Sequence, residues 1–110
     1  ERLCAGSGQP FDSERAKARV EAVMSHSPQL ASAYNHGLVQ LRDDWTGHYR
    51  QITKPTLVIH GEDDPILPLK NGEALASGIP GARLLVLPGI GHELPVRAMH
   101  TLVEEISAHI

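Results

Sequence analysis

The chain has 110 residues, of which 41% are hydrophobic and 21% charged, and its formal net charge is −3 at pH 7. This composition is typical of a globular protein, and the lack of a basic excess argues against nucleic acid or an anionic membrane as a partner. No apolar run approaches the roughly 20 residues of a membrane span, no signal peptide is visible, and Cys4 has no second cysteine to pair with, so we expect a cytoplasmic protein.

Residues 1–53 are predicted to form a helical cap or lid segment and its linker. Residues 1–13 are rich in Gly, Ser and Pro and are typical of a loop. Asp12 or Ser13 can cap a following helix, whose apolar side chains at helical spacing are Ala16, Val20, Val23 and Met24. A second helix is predicted from Ser27-Pro28 onward, with the apolar face Leu30, Tyr34, Leu38 and Leu41.

Residues 54–110 are predicted to alternate strands and helices. Thr56–His60 and Leu84–Leu87 are short apolar runs that suit buried parallel strands. A helix is predicted over 69–78, with Leu69, Leu75, Ala76 and Ile79 inward, and it ends at Gly78 and Pro80. A final helix has one apolar stripe, formed by Val96, Met99, Val103, Ile106 and Ile110. The fold class is therefore α/β, with a right-handed βαβ unit and a covering helix.

Two polar side chains follow the two predicted strands directly. Asp64 comes three residues after Gly61, and His92 comes directly after Gly91. Because the carboxyl ends of parallel strands lie at one edge of a sheet, we expect these side chains to meet there. A carboxylate bonded to one imidazole nitrogen fixes the tautomer and leaves the other nitrogen to take a proton from a nucleophile.

The two strand–loop segments resemble the last two of α/β-hydrolases. Residues 55–68, PTLVIHGEDDPILP, are similar to the family's penultimate strand and acid loop, with Gly-x-x-Asp matching Gly61 to Asp64. Residues 79–95, IPGARLLVLPGIGHELP, are similar to the last strand and histidine loop, and residues 6–12, GSGQPFD, look like part of the family's inserted cap. The resemblance is closest to esterase-like members, including methyl-esterases that act on anthracycline intermediates, and it covers the family's C-terminal half only.

The resemblance implies serine-dependent hydrolysis of a small carboxylic ester without a cofactor. Asp64 would be the acid and His92 the base of a Ser-His-Asp triad. The Gly-x-Ser-x-Gly elbow that carries the family's serine does not occur in this sequence. The nearest string is Ala5-Gly6-Ser7-Gly8-Gln9, but its glycines stand at the wrong offsets and no predicted strand precedes it. Since the chain also begins without Met, we expect a piece of a longer protein that is inactive alone.

The sequence is compatible with several alternatives. The chain could be a non-catalytic fragment or degenerate domain that self-associates, or that pairs with the missing N-terminal half through its open sheet edges. A lactonase, haloperoxidase-like or acyltransferase member would share the same residues, so the substrate is not readable. A metal site would use His60, Glu62, Asp64 and His92 as ligands, but no HExxH motif or paired cysteine spacing supports it.

Several of these residues also have a purely structural interpretation. One alternative is that Asp64 simply caps the turn before Pro65, because Asp favours such positions. Asp63 and Glu62 are expected to be solvated neighbours of Asp64, and His60 is expected to pack or bond locally. His36, in the cap segment, is expected to lie on the surface, and the alternative is that it lines a substrate pocket.

Overall fold

The computed structural model describes residues 2–26, 29, 31–32, 35, 38–40 and 47–110. The chain forms two compact units, one of Glu1–Pro10 with Gly47–Ile110 and one of Phe11–Thr46. No helix within the described residues has the length and apolarity that crossing a membrane requires. The assignment of residues 1–53 to a cap stays a prediction.

The second unit contains helix α1, Ser13–His26. Asp12 caps it, because its Oδ1 accepts a hydrogen bond from the Arg15 amide at 2.9 Å. The predicted apolar face buries no residue, and Val20 and Val23 are exposed. Most of the second predicted helix lies outside the described residues, including Leu30, Tyr34, His36 and Leu41.

Two parallel strands form the centre of the first unit. Strand β1 is Leu57–Gly61 and strand β2 is Arg83–Leu87, and their register pairs Leu57 with Arg83 and Gly61 with Leu87. Their apolar, β-branched or leucine side chains suit this geometry. The strand interiors are half-buried rather than fully buried as predicted, because each strand has a single strand neighbour among the described residues.

Two helices cover opposite faces of this pair. Helix α2, Leu69–Gly78, lies against the His60 side of β1, where the absence of a side chain at Gly72 admits the imidazole. Helix α3, Val96–His109, packs Ala98 and Leu102 against a cluster that includes Leu87 and Ile90, with Ile59 and Leu85 beside it. Since His60 and Ile59 are consecutive, they point to opposite faces of the sheet, and the helices lie on those faces.

The buried faces of α2 and α3 differ from the predicted ones. The predicted stripe of α3 is exposed, with Val103 63% exposed and Ile110 fully exposed, whereas Leu102 is 6% exposed. Ile79, directly after α2, is buried as predicted, but Leu75 within α2 is exposed. The helices carry apolar residues on more than one side, and a two-stranded sheet covers only one of them.

Candidate active site

The acid loop follows β1 and closes a turn around Asp64. Its Oδ1 accepts hydrogen bonds from the amides of Ile66 and Leu67, both at 2.8 Å. This is the local side-chain turn that Asp favours, and Pro65, which has no N–H, stands inside it. Asp64 therefore caps this turn, as the structural interpretation of this residue predicts. Because it uses only Oδ1, the other carboxylate oxygen is left for a second partner.

The histidine loop follows β2 and is hydrogen-bonded to the acid loop through the backbone. The Glu62 amide donates to the Leu87 carbonyl at 3.0 Å, and the Asp63 amide donates to the Ile90 carbonyl at 2.9 Å. Gly61 permits this approach, since a Cβ there would collide with the carbonyls of Ile90 and Gly91. The two loops therefore leave the sheet as one tightly packed rim.

Asp64 and His92 meet at this rim, as the sequence predicts. His92 Nδ1 lies 2.8 Å from Asp64 Oδ2. An ionised carboxylate only accepts hydrogen bonds, so Nδ1 carries the proton and Nε2 of the neutral ring is bare. The Asp64 side chain is 6% exposed and that of His92 46%. Among the described residues none hydrogen-bonds to Nε2, so this nitrogen is available to a reacting group.

The surroundings of Asp64 favour its charged form. Burial raises the pKa of the Asp64 carboxyl, but hydrogen bonds from Leu67, His92 and Ile66 outweigh burial, and the pKa is lowered from its ordinary value. Asp64 is thus ionised at neutral pH. An ionised Asp64 can hold the His92 imidazole in one tautomer and stabilise the imidazolium that forms when Nε2 takes a proton.

His60 supports the acid loop from the side of α2. Its Nε2 donates to the Leu67 carbonyl at 2.8 Å and lies 3.8 Å from Asp64 Oδ2, too far for a hydrogen bond. The prediction that His60 packs and bonds locally is confirmed. By joining β1 to Leu67, the ring braces the turn whose amides hold Asp64.

Asp63 has a hydrogen-bond partner that the sequence does not predict. Its Oδ2 accepts hydrogen bonds from both the amide of Ser7, at 2.9 Å, and the Ser7 hydroxyl. These bonds lower the pKa of the Asp63 carboxyl. Glu62 is exposed, and its Oε2 accepts a 3.4 Å bond from the Gly89 amide. Ser7 therefore bonds to Asp63 rather than to the His92 imidazole, and no local sequence signal connects residues this far apart.

The four possible metal ligands named from the sequence do not gather as a cluster. Among the described residues, no three His, Cys, Asp or Glu side chains are placed to hold a metal ion. His60 donates Nε2–H to a backbone carbonyl, and Glu62 bonds to the Gly89 amide on the rim. The side chains that do meet are a carboxylate and an imidazole, which the 2.8 Å bond between Asp64 and His92 joins.

A family model described as alpha/beta hydrolase fold matches residues 8–96, which include both loops and both strands. The chain belongs to the α/β-hydrolase fold family. Rhodomycin D methylesterase DnrP of Streptomyces peucetius is 31% identical to this hydrolase-fold chain over 109 residues, which are 98% of the chain and 37% of the relative. The bifunctional esterase/perhydrolase DCH of Acinetobacter calcoaceticus is 30% identical over 82 residues, 73% of the chain and 30% of the relative.

A solved structure leads to the same family. The thermophilic esterase from Thermogutta terrifontis has 34% sequence identity and a TM-score of 0.51, over 63% of this hydrolase-fold chain and 27% of its own. The predicted fold class, part of an α/β-hydrolase sheet with helices, is thereby confirmed. The chain spans only 37% and 30% of the lengths of these two curated relatives.

Proposed function

We propose that this chain is the C-terminal part of a serine-dependent hydrolase of carboxylic esters, and that it supplies the acid and the base of the catalytic triad. The observation that carries the proposal is the 2.8 Å bond between Asp64 Oδ2 and His92 Nδ1, which leaves Nε2 bare at the exposed end of the ring. The esterase names of the relatives support the choice of substrate class. The nucleophilic serine would come from outside residues 1–110.

In this proposal His92 acts first as a general base and then as a general acid. Nε2 takes the serine hydroxyl proton while the serine oxygen bonds to the ester carbonyl carbon. The bond from that carbon to the alcohol oxygen then breaks, and the alcohol leaves with the proton from Nε2. A water molecule attacks the acyl-enzyme in the same way, releases the acid and returns the proton to serine, while Asp64 stabilises each imidazolium.

Ester turnover by the protein that carries this chain tests the proposal. With p-nitrophenyl acetate as the substrate, His92→Ala should lower kcat/KM at least about 100-fold, the lower end for loss of a general base. The matched control is His100→Ala, because His100 is a well-exposed histidine of α3 that pairs with Glu104 instead. Equal turnover in the His92 and His100 variants would reject the assignment.

The isolated 110-residue chain provides the second arm of that test. We expect it to show no turnover, because acid and base have no nucleophile to activate. Turnover by the isolated chain that disappears in His92→Ala would place a nucleophile within these residues and overturn this part of the proposal.

A second proposal concerns association rather than chemistry. Each strand has one strand neighbour among the described residues, and the apolar stripe of α3 is exposed. An unpaired strand edge beside exposed apolar side chains favours pairing with further strands, either those of the rest of a hydrolase or those of a second copy. Sedimentation equilibrium of the isolated chain is expected to show self-association. A stable, cooperatively folded monomer would contradict it.

A further inference from the structure

Residues 4–8, here called the N-terminal strap, run along both loops of the candidate site. The Cys4 carbonyl accepts a 2.7 Å hydrogen bond from the His92 amide. Three residues later, Ser7 donates its amide and its hydroxyl to Oδ2 of Asp63, the direct neighbour of Asp64. One end of the strap therefore holds the backbone of the histidine, and the other holds the residue beside the acid.

Further contacts between these points keep the strap close to the rim. The Gly6 amide donates to Glu93 Oε1 at 3.3 Å, and the Gly8 amide donates to the Gly89 carbonyl at 2.9 Å. The same Gly89 carbonyl accepts a 2.9 Å bond from Arg97 Nη2 of α3. The strap is thus bound to both loops, and α3 shares one of its attachment points.

Missing side chains make this approach possible. A Cβ on Gly6 would collide with the Gly89 carbonyl, and a Cβ on Gly91 would collide with the Cys4 carbonyl. A Cβ on Gly8 would lie 2.7 Å from the Gly89 oxygen, which is closer than real Cβ atoms approach. The strap and the histidine loop therefore meet backbone to backbone, where a small displacement of one moves the other.

We infer that Ser7 and Asp63 are positioning residues: their paired hydrogen bonds fasten the strap to the acid loop, so that the Cys4 carbonyl sets the backbone of His92 against Asp64. This inference rests on the proposed function for its catalytic meaning. The structural part of the inference is that the Ser7–Asp63 bond keeps the His92 backbone in place, and this part depends only on the contacts described above. The bond is a tie between two loops and includes no reacting atom.

The reason to expect an effect on chemistry is the narrow tolerance of such pairs. A catalytic pair has to be held within about 0.5 Å of its working geometry, and a misplacement of about 1 Å can cost about 100-fold in rate. Freeing the strap leaves the His92 amide without a fixed acceptor, although the Asp64 turn remains closed by Ile66 and Leu67. Asp64 then stays in place, whereas the His92 backbone becomes more mobile.

Amide hydrogen exchange on the protein that carries this chain tests, independently of activity, whether the Ser7–Asp63 bond keeps the His92 amide bonded to Cys4. In Ser7→Ala the His92 amide should exchange about tenfold faster, because its bond to Cys4 opens more often, whereas Ser7→Thr, which keeps the hydroxyl, should restore protection. Ser107→Ala, at an exposed serine of α3, is the matched control and should change nothing at His92.

A double-mutant cycle identifies Asp63 as the partner. Asp63→Ala removes both bonds to Ser7, so its effect should be at least that of Ser7→Ala, and adding Ser7→Ala to it should cost nothing more. Fully additive effects, or a His92 amide unchanged by Ser7→Ala, would overturn the inference. If Asp63→Ala fails to fold, the comparison of Ser7→Ala with Ser7→Thr decides alone.

Kinetics of the same variants separate positioning from mere stability. Ser7→Ala should lower kcat about tenfold with little change in KM, and Ser7→Thr should recover most of it. If His92→Ala and Asp64→Asn leave turnover intact, the proposed function fails whatever the strap does. If those variants abolish turnover while Ser7→Ala changes neither exchange nor kcat, the strap inference fails and the proposed function stands.

Discussion

Replacing the Asp64 carboxylate with an amide isolates the charge that the proposed mechanism needs. Asp64→Asn keeps the size of the side chain and an oxygen acceptor for the amides of Ile66 and Leu67. In the wild type these amides bond to Asp64 Oδ1 at 2.8 Å. The group facing His92 becomes an NH₂ donor, however. Nδ1 of His92 then has to accept, which places the proton on Nε2, and that nitrogen can no longer take a proton from serine.

The expected magnitude follows from which bonds survive. The two turn bonds persist with a neutral acceptor, and a neutral bond replaces the charge-assisted bond to His92. The unfolding free energy should therefore fall by about 1–1.5 kcal/mol, the difference between a charged and a neutral hydrogen bond. The effect on chemistry should be larger, since the wrong tautomer in a Ser-His-Asp triad costs about 10⁴-fold in kcat. That factor corresponds to about 5.5 kcal/mol of barrier, so catalysis falls far more than folding.

Steady-state kinetics with p-nitrophenyl acetate and ¹⁵N NMR of the His92 ring together measure this prediction. Asp64→Asn should move the ring proton from Nδ1 to Nε2 as kcat falls. Asp12→Asn is the matched control, because Asn caps a helix about as well as Asp at the start of α1. A kcat within about tenfold of the wild type, with the ring proton now on Nε2, would refute the reasoning about the tautomer.

Three further predictions concern stability and are measured by urea or thermal unfolding. Gly91→Ala should destabilise the protein by about 1–3 kcal/mol, because the added Cβ collides with the Cys4 carbonyl; unchanged stability would mean that the strap moves away freely. The pKa of Asp64 is lower in the folded protein than its unfolded value of about 3.9, so ionised Asp64 stabilises the fold at higher pH. The free energy of unfolding should therefore fall as the pH drops from about 5 through the folded pKa, and it should fall less in Asp64→Asn. Leu102→Ala should cost about 2–5 kcal/mol, whereas Val103→Ala, its exposed neighbour, should cost less than about 0.5 kcal/mol; equal losses would mean that α3 packs by the other face.

Local sequence patterns predict the strands and helices of residues 54–110 well. The apolar run before Gly61 and the run before Pro88 become β1 and β2, and α2 ends at Gly78 as expected. Strand ends in turn predict the site, because parallel strands bring the residues after Gly61 and Leu87 to one edge of the sheet.

Contacts between distant segments could not be predicted in the same way. The bond between Ser7 and Asp63 joins residues 56 positions apart, and neither periodicity nor turn chemistry signals it. The buried face of α3 was equally hidden, because Leu102 and Val103 are both apolar and only the position of the strands decides which one packs. Sequence patterns predict which residues are apolar, whereas the partner decides which of them are buried.

Labelling with a fluorophosphonate tests the central proposal, that Asp64 and His92 activate a serine, most directly. The probe forms a covalent bond with an activated serine, and mass spectrometry of the protein that carries this chain identifies the labelled residue. We predict one labelled serine outside residues 1–110, with labelling lost in His92→Ala and retained in His100→Ala. Labelling that persists without the His92 imidazole, or that falls on Ser7, would contradict the account.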